Sequence, residues 1–196
     1  MSLRETKKID TKNKIFEVAG RLFKEKGFEN TTVDEITSEA RIGKGTFFNY
    51  FPTKTALLQY FGELKEEQIH DIIKNETMRN IPTKEKIKNI MVITAKCYEK
   101  NKELTKLFFF EHIKYSGSRT WEEGSSQRSS KFLIYLLNEG VRKGEVRTDI
   151  DLNKAGEHLS SVFLTSMIDW LRSERDYHFS EDISDRVDMI FDGIGS

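Results

Sequence analysis

Between Thr31 and Lys54, in the stretch TTVDEITSEARIGKGTFFNYFPTK, the residues Lys44, Gly45, Thr46, Phe48, Asn49 and Tyr50 fall on the outward faces of one short helix, with Lys54 just beyond it. A short helix, a tight Gly-containing turn and a second short helix form the geometry in which one helix braces across a DNA backbone while the next enters the major groove. The chemistry on offer is recognition of phosphates and base edges, not bond making. An ordinary three-helix core with no such role accounts for Phe16, Phe23, Phe47 and Phe51. It does not account for Phe48 and Tyr50 flanking Asn49 on outward faces between Lys44 and Lys54.

The elements that must hold this face can be read from local signals. Ile15, Ala19, Leu22 and Phe23 have the spacing of a helix over about residues 11–26 with one buried side. Gly27 suits a left-handed cap at its end, and Phe28 can fold back on it. Thr32 with Glu35 three residues later predicts a capping box at the start of the second helix, whose Val33, Ile36 and Ala40 share a face. Arg41, Ile42 and Gly43 form the turn, and the third helix runs from Lys44 to Phe51 with Phe47 and Phe51 pointing into a small core. Pro52 stops it, and Thr53 can cap the next helix. None of these helices is long enough to be stable alone, so the three must pack as one unit.

The motifs AGRLFKEKGFENTTVDEI and KGTFFNYFPTKTALL, within residues 10–58, resemble the TetR-like family, the tetracycline-repressor-type transcriptional regulators. The resemblance covers about a quarter of the chain, and beyond Leu58 only helix count and lengths are similar. It implies that Thr32 caps the second helix and touches a phosphate, and that Lys44, Gly45 and Thr46 open the recognition helix near base edges. Gly45 would let the backbone approach the groove closely, and Thr46 would contact a base or a phosphate. Phe48, Asn49 and Tyr50 would lie along the backbone flank, with a phosphate contact from Lys54. Two positions depart from the family pattern. Phe48 stands where a tyrosine is usual, which removes a hydroxyl that Tyr50 could replace. Arg41 stands where a glycine is usual, so it either adopts positive φ at a cost of roughly 1 kcal/mol or reaches the DNA.

The resemblance also implies a homodimer built by the last two helices, with Leu159, Phe163, Trp170, Val187, Ile190 and Phe191 as candidate contacts. Dimeric readers of this kind span half-sites about 34–36 Å apart or multiples of that. An effector pocket in the larger domain would change the separation of the two heads. Three consecutive aromatics, Phe108, Phe109 and Phe110, turn through about 200° of a helix, so they cannot all join one core stripe. Met91, Tyr98, Phe108, His112, Tyr115, Phe163 and Met167 are the candidate pocket lining, each also readable as ordinary core. Glu111 and His112 are either a polar anchor for the pocket or a solvent-facing pair.

Composition bounds the remaining classes. The chain has 196 residues, 33% of them charged, two prolines and no convincing alternating strand pattern, which predicts an all-α protein. The 32 basic residues balance the 32 acidic ones, although Arg4, Lys7, Lys8, Lys12 and Lys14 against Glu5 and Asp10 form a basic arm at the start. That arm either neutralises phosphates or is a frayed, solvated terminus. Cys97 is the only cysteine and the four histidines are scattered, so no metal or other cofactor is expected. No apolar run can span a membrane and no signal peptide is evident, which predicts a cytoplasmic protein. Without a phosphate loop, nucleophile elbow or HExxH motif, an enzyme is not expected.

Further helices are expected over about 53–80, 84–100, 103–115, 128–143, 152–175 and 183–194, with a loop over 116–127. The expected architecture is an N-terminal three-helix helix-turn-helix head (1–52) on a larger helical effector and dimerisation domain (53–196), about nine helices in all. The expected function is a homodimeric transcriptional regulator, a repressor released from operator DNA by a small, partly apolar effector. The competing reading is an effector-binding or scaffold dimer whose head reads no specific DNA.

Overall fold

The computed structural model describes residues 2–121 and 127–193, with the backbone alone for residues 3, 4 and 112–121. Among the described residues it contains nine helices and no strand: α1 (Leu3–Lys26), α2 (Val33–Ala40), α3 (Lys44–Tyr50), α4 (Ala56–Thr77), α5 (Thr83–Glu99), α6 (Lys102–Trp121), α7 (Gln127–Arg142), α8 (Leu152–Arg172) and α9 (Phe179–Asp192). The protein is all-α, as its composition predicts.

Several boundaries differ from the sequence expectation: α4 starts at Ala56, α8 ends at Arg172 and α9 starts at Phe179, and the largest differences lie at the start of α1 and after Tyr115. The basic arm is helical from Leu3, because Ser2 and Glu5 form a capping box: Ser2 Oγ accepts from the Glu5 amide at 3.3 Å and Glu5 Oε2 accepts from the Ser2 amide at 2.7 Å. Lys12 of that segment lies 3.7 Å from the centroid of the Tyr60 ring, and the Tyr60 hydroxyl donates to Asn13 Oδ1 at 3.1 Å, tying α1 to α4. The expected loop after Tyr115 is instead helical through Trp121, which corrects that expectation. Residues 122–126 of that expected loop, and Ile194 at the end of the last helix, lie outside the described residues.

Apolar side chains gather in two clusters. The first joins Ile15, Ala19 and Phe23 of α1, Ile36 of α2 and Phe47 of α3 to Leu57 and Phe61 of α4 and Leu104 of α6. The second joins α5, α7, α8 and α9 around Ile87, Leu136, Leu159 and Ile183, with Trp170 stacked on Phe179 at 5.5 Å. The three phenylalanines of α6 divide between them. Phe108 meets Phe61 at 5.5 Å, Phe109 is buried in the second cluster, and Phe110 lies at its edge.

Several helix ends are closed by charged side chains from far along the chain, because a helix leaves its terminal N–H and C=O groups without internal partners. Glu145 accepts from the Thr83 amide and hydroxyl at the start of α5, both at 2.7 Å, and Glu99 accepts from the Ser180 amide at 2.8 Å at the start of α9. Lysines close the other ends. Buried Lys65 donates to the Cys97 carbonyl at 2.5 Å, buried Lys86 to Thr77 at 2.9 Å and Lys102 to Ser173 at 3.0 Å. Burial lowers the Lys65 ammonium below the ordinary lysine range, so this contact is held against a desolvation cost.

The close packing of α7 on α8 depends on Gly156, where a Cβ would stand 2.5 Å from Ile134 Cγ1 and 3.2 Å from the Ser130 carbonyl oxygen. Gly156→Ala is expected to destabilise by about 1–3 kcal/mol in urea unfolding, although alanine is the better helix former. Glu35, which accepts from Lys26 and Thr32, is held down to about 2, chiefly by Lys26. Its stabilisation is therefore complete above the ordinary carboxylate value and lost as pH falls towards 2. The difference in unfolding midpoint between wild type and Glu35→Gln is expected to be present at pH 7 and to vanish near pH 2.

Candidate nucleic-acid interface

The helix-turn-helix is built from α2 and α3 with the turn Arg41–Gly43 between them. Thr32 starts α2 through a capping box in which its hydroxyl accepts from the Glu35 amide at 3.2 Å and its own amide donates to Glu35 Oε2 at 2.9 Å. Arg41 ends α2 at φ 53° and ψ 50°, the one non-glycine residue with positive φ among the described residues. The left-handed turn lets the Ile42 amide donate to the Thr37 carbonyl at 3.0 Å, which closes the end of α2 and redirects the chain into α3. That conformation costs roughly 1 kcal/mol at an arginine. It also leaves the Arg41 side chain exposed beside the start of α3.

Phe47 is fully buried and sets the roll of α3, with Phe51 beyond the helix end at 5.9 Å and Tyr60 of α4 a further 5.7 Å from Phe51. Lys44, Gly45, Phe48 and Asn49 are all exposed. At about 100° per residue they share an arc of about 140°, opposite Phe47. Thr46 is half-buried at the margin of this arc. Tyr50 is half-buried too and packs on the head cluster, which makes it less outward than its spacing suggested. Phe48 is 49% exposed, an unusual position for a phenylalanine, with its ring edge-on to Phe47 at 5.4 Å. A Cβ on Gly45 would meet nothing within 4 Å, so the backbone there is open to a close approach.

Three of the candidate polar groups already have protein partners. Lys44 pairs with Asp34 of α2 at 2.6 Å, with both side chains largely exposed. The Thr32 hydroxyl donates to Glu35 Oε2 at 3.0 Å. Lys54 Nζ donates to the carbonyls of Phe28 at 2.5 Å, Thr31 at 2.9 Å and Glu29 at 3.4 Å, and lies 4.3 Å from the Phe28 ring centroid. Those contacts use all three ammonium donors, so the Lys54 side chain as placed fastens the α1–α2 loop. A phosphate contact through its ammonium would require giving up at least one of them. Neither the Lys54 clamp nor the Asp34 partner of Lys44 has a signal in sequence spacing.

The effector candidates do not form one group. Met91 and Met167 are buried in the second cluster, with Phe163 at its edge and Tyr98 half-buried beside α4. Burial pushes the Tyr98 hydroxyl up to about 12. Phe108 instead faces α4, where a Cβ on Gly62 would stand 2.7 Å from its ring. The side chains of His112 and Tyr115 lie outside the described residues. Ser166, which carries no signal in sequence spacing, has a buried hydroxyl with no hydrogen-bond partner among the described residues, one turn after Phe163 and next to Met167 in the chain. Of the dimer candidates, Leu159, Trp170 and Val187 are enclosed by their own chain at 1%, 3% and 0% exposure, which leaves no surface for a second copy to cover. Phe163, Ile190 and Phe191 remain partly exposed.

Residues 15–61 match the family model described as bacterial regulatory proteins, tetR family. A stretch of 44 residues is 52% identical to the HTH-type transcriptional regulator YuxN of Bacillus subtilis, covering 22% of this chain and 15% of that one. The HTH-type transcriptional regulator PksA of the same organism is 24% identical over 169 residues, 84% of this chain and 82% of its own length. Among solved structures, the fatty acid degradation regulator FadR from Bacillus halodurans superposes with a TM-score of 0.74 at 19% identity, over 94% of this chain and 96% of that one. FadR from Bacillus subtilis, in complex with stearoyl-CoA, gives 0.72 at 18% identity over 93% and 98%. The fold is thus shared along nearly the whole chain, while close sequence identity is confined to part of it. Among the described residues no helix is long and apolar enough to cross a membrane. Residues 15–61 thus match the head of the TetR family, and it is in that head that the chain is similar to TetR-type transcriptional regulators.

Proposed function

We propose that the chain is a repressor that binds operator DNA as a homodimer and leaves it when a small, partly apolar effector occupies the helical body. The observation that carries the DNA reading is the exposed arc of Lys44, Gly45, Phe48 and Asn49, held outward by a fully buried Phe47. Thr46 at its margin is proposed to read a base edge, and Lys44 to exchange Asp34 for a phosphate. Thr32 and Tyr50 contribute at the flanks. The head is proposed to end near residue 52 and the effector and dimerisation domain to begin at residue 53, although the head cluster borrows Leu57 and Phe61 from α4.

For the effector, the buried Ser166 hydroxyl supports a site in the body core beside Phe163 and Met167, since an unmet buried hydroxyl costs about 1–3 kcal/mol that a ligand's polar group would offset. The stearoyl-CoA of the Bacillus subtilis FadR makes acyl thioesters the first class to test here. Coupling would run through α4, whose Phe61 and Gly62 meet Phe108 while its first turns pack in the head. An effector that carries the protein from almost wholly bound-competent to almost wholly released must favour the released state by about 10⁴-fold.

The test is titration of the purified protein against its own upstream DNA and random DNA at two salt concentrations, with and without acyl-CoA. Specific, salt-sensitive binding weakened by the effector is expected; binding that is neither specific nor salt-sensitive would sink the repressor reading in favour of a scaffold. Asp34→Asn should tighten binding to all sequences, because it frees Lys44 and removes a negative charge. Thr46→Ala should cost about 1–3 kcal/mol on the specific site and relax its sequence preference. Lys54→Ala should lower the melting temperature, through three carbonyls left without their donor.

The dimer proposal rests on Phe163, Ile190 and Phe191, the apolar candidates that keep exposed area. Sedimentation should show Ile190→Asp/Phe191→Asp as a folded monomer with wild-type helix content. Val187→Asp should unfold the chain instead, since it buries a charge with no partner. A double variant that stays dimeric would move the interface elsewhere.

A further inference from the structure

A cleft separate from the body core lies at the seam between the head and the body. Its volume is about 290 Å³, near the lower end of the range for small-molecule pockets. One wall is α1 and the start of the loop after it, through Gly20, Phe23 and Phe28; the other is α6, through Leu104, Leu107 and Phe110. Gly20 is what leaves the room: a Cβ there would touch only Leu104 Cδ2, at 3.8 Å, so the space above the helix backbone is vacant and not tightly packed. An adjoining cleft shares Gly20, Lys24 and Leu104 and continues towards Phe16 and Asn101.

The lining fits a flat, mainly apolar molecule with one anionic group. Three phenylalanines and two leucines supply apolar and ring-edge contact. Lys24 and Lys106 line the cleft from opposite walls and make no hydrogen bond or ion pair among the described residues. The lining carboxylates are Glu103 and Glu111. Glu103 stands in the first turn of α6, where the positive end of the helix offsets it, whereas Lys106 lies one turn further along and has no such compensation. Two lysines against two glutamates leave the lining without net charge, and Lys106, exposed and outside any ion pair among the described residues, is the group an anionic ligand would meet.

From this geometry we infer that the α1–α6 cleft is a binding site for a small aromatic carboxylate, held between Phe23, Phe28 and Phe110 with its carboxylate on Lys106. The site is distinct from the effector site proposed in the body core. Its occupant touches the head on one side and the body on the other. The same stretch of α6 turns Phe108 onto Gly62 of α4, so anything that shifts α6 at the cleft also loads the contact between α6 and α4.

The test uses 2-naphthoate on the full-length wild-type protein, followed by amide chemical shifts in the absence of DNA, so that it stands or falls independently of operator binding. Saturable shifts are expected at Gly20, Gly27 and residues 104–111. The isosteric amine, 2-naphthylmethylammonium, should bind at least tenfold more weakly, and Lys106→Gln should weaken the acid by about tenfold. Gly20→Leu, which fills the cleft, should abolish these shifts; Gly20→Ala serves as a folded control that leaves most of the space. Shifts centred on Ser166 and Met167, equal binding of acid and amine, or undiminished binding to a Gly20→Leu protein with wild-type melting temperature would each overturn the assignment.

Discussion

The arrangement of this protein depends on one helix serving two cores. Because α6 turns by about 100° per residue, consecutive phenylalanines at 108, 109 and 110 face three directions: α4, the body core, and the seam with α1. Phe108 is admitted only because Gly62 lacks a side chain, and the resulting contact with Phe61 reaches residues that also belong to the head cluster. A movement of α6 within the body therefore cannot leave α4 unaffected. Packed interiors respond to such displacement by switching arrangement, since they deform little. Anything that displaced α6 would therefore displace α4, whose first turns pack with Phe47 of α3 in the head cluster.

A second constraint is the satisfaction of helix ends. Only part of it is local: Thr32 and Glu35 close α2 within four residues, as do Ser2 and Glu5 for α1. At α5 and α9 the terminal amides are met by Glu145 and Glu99, and at the far ends of α4, α5 and α8 the carbonyls are met by Lys86, Lys65 and Lys102. These bonds join elements as well as finishing them. Charge placed this way complements the helix dipoles, carboxylates at the positive ends and ammoniums at the negative ends. A chain with equal numbers of acidic and basic residues thereby uses part of its charge as internal fastening.

The same principle changes the account of the DNA-facing head. Lys54 resembles a phosphate contact in sequence, yet its ammonium holds the loop that leads from α1 into α2. Lys44 is steadied by Asp34 across the turn. The exposed face of α3 is thus narrower and less cationic at rest than its residue list implies, with Phe48 and Gly45 near its centre, Lys44 and Asn49 at its margins and Arg41 beside it. Arg41 occupies a left-handed position at a conformational cost, and in exchange the turn places an arginine next to the recognition helix.

One set of features is carried by short-range spacing alone. The helix periods, the Thr32–Glu35 cap, the Arg41–Gly43 turn, the inward Phe47 and Phe51 and the outward Lys44, Gly45, Phe48 and Asn49 all depend on residues within one or two turns of each other. The start of α1 rests on the equally local pair Ser2 and Glu5. Tertiary structure decided the rest. Which of Leu159, Phe163, Trp170 and Val187 keeps any surface depends on neighbouring helices, because an apolar stripe looks the same whether its own chain or a second copy covers it. Likewise the destinations of Lys54, Lys65 and Phe108 depend on atoms up to 46 positions away in the chain, as with Phe108 and Gly62. Local spacing fixes which side of a helix a residue occupies, and only packing fixes what that side meets.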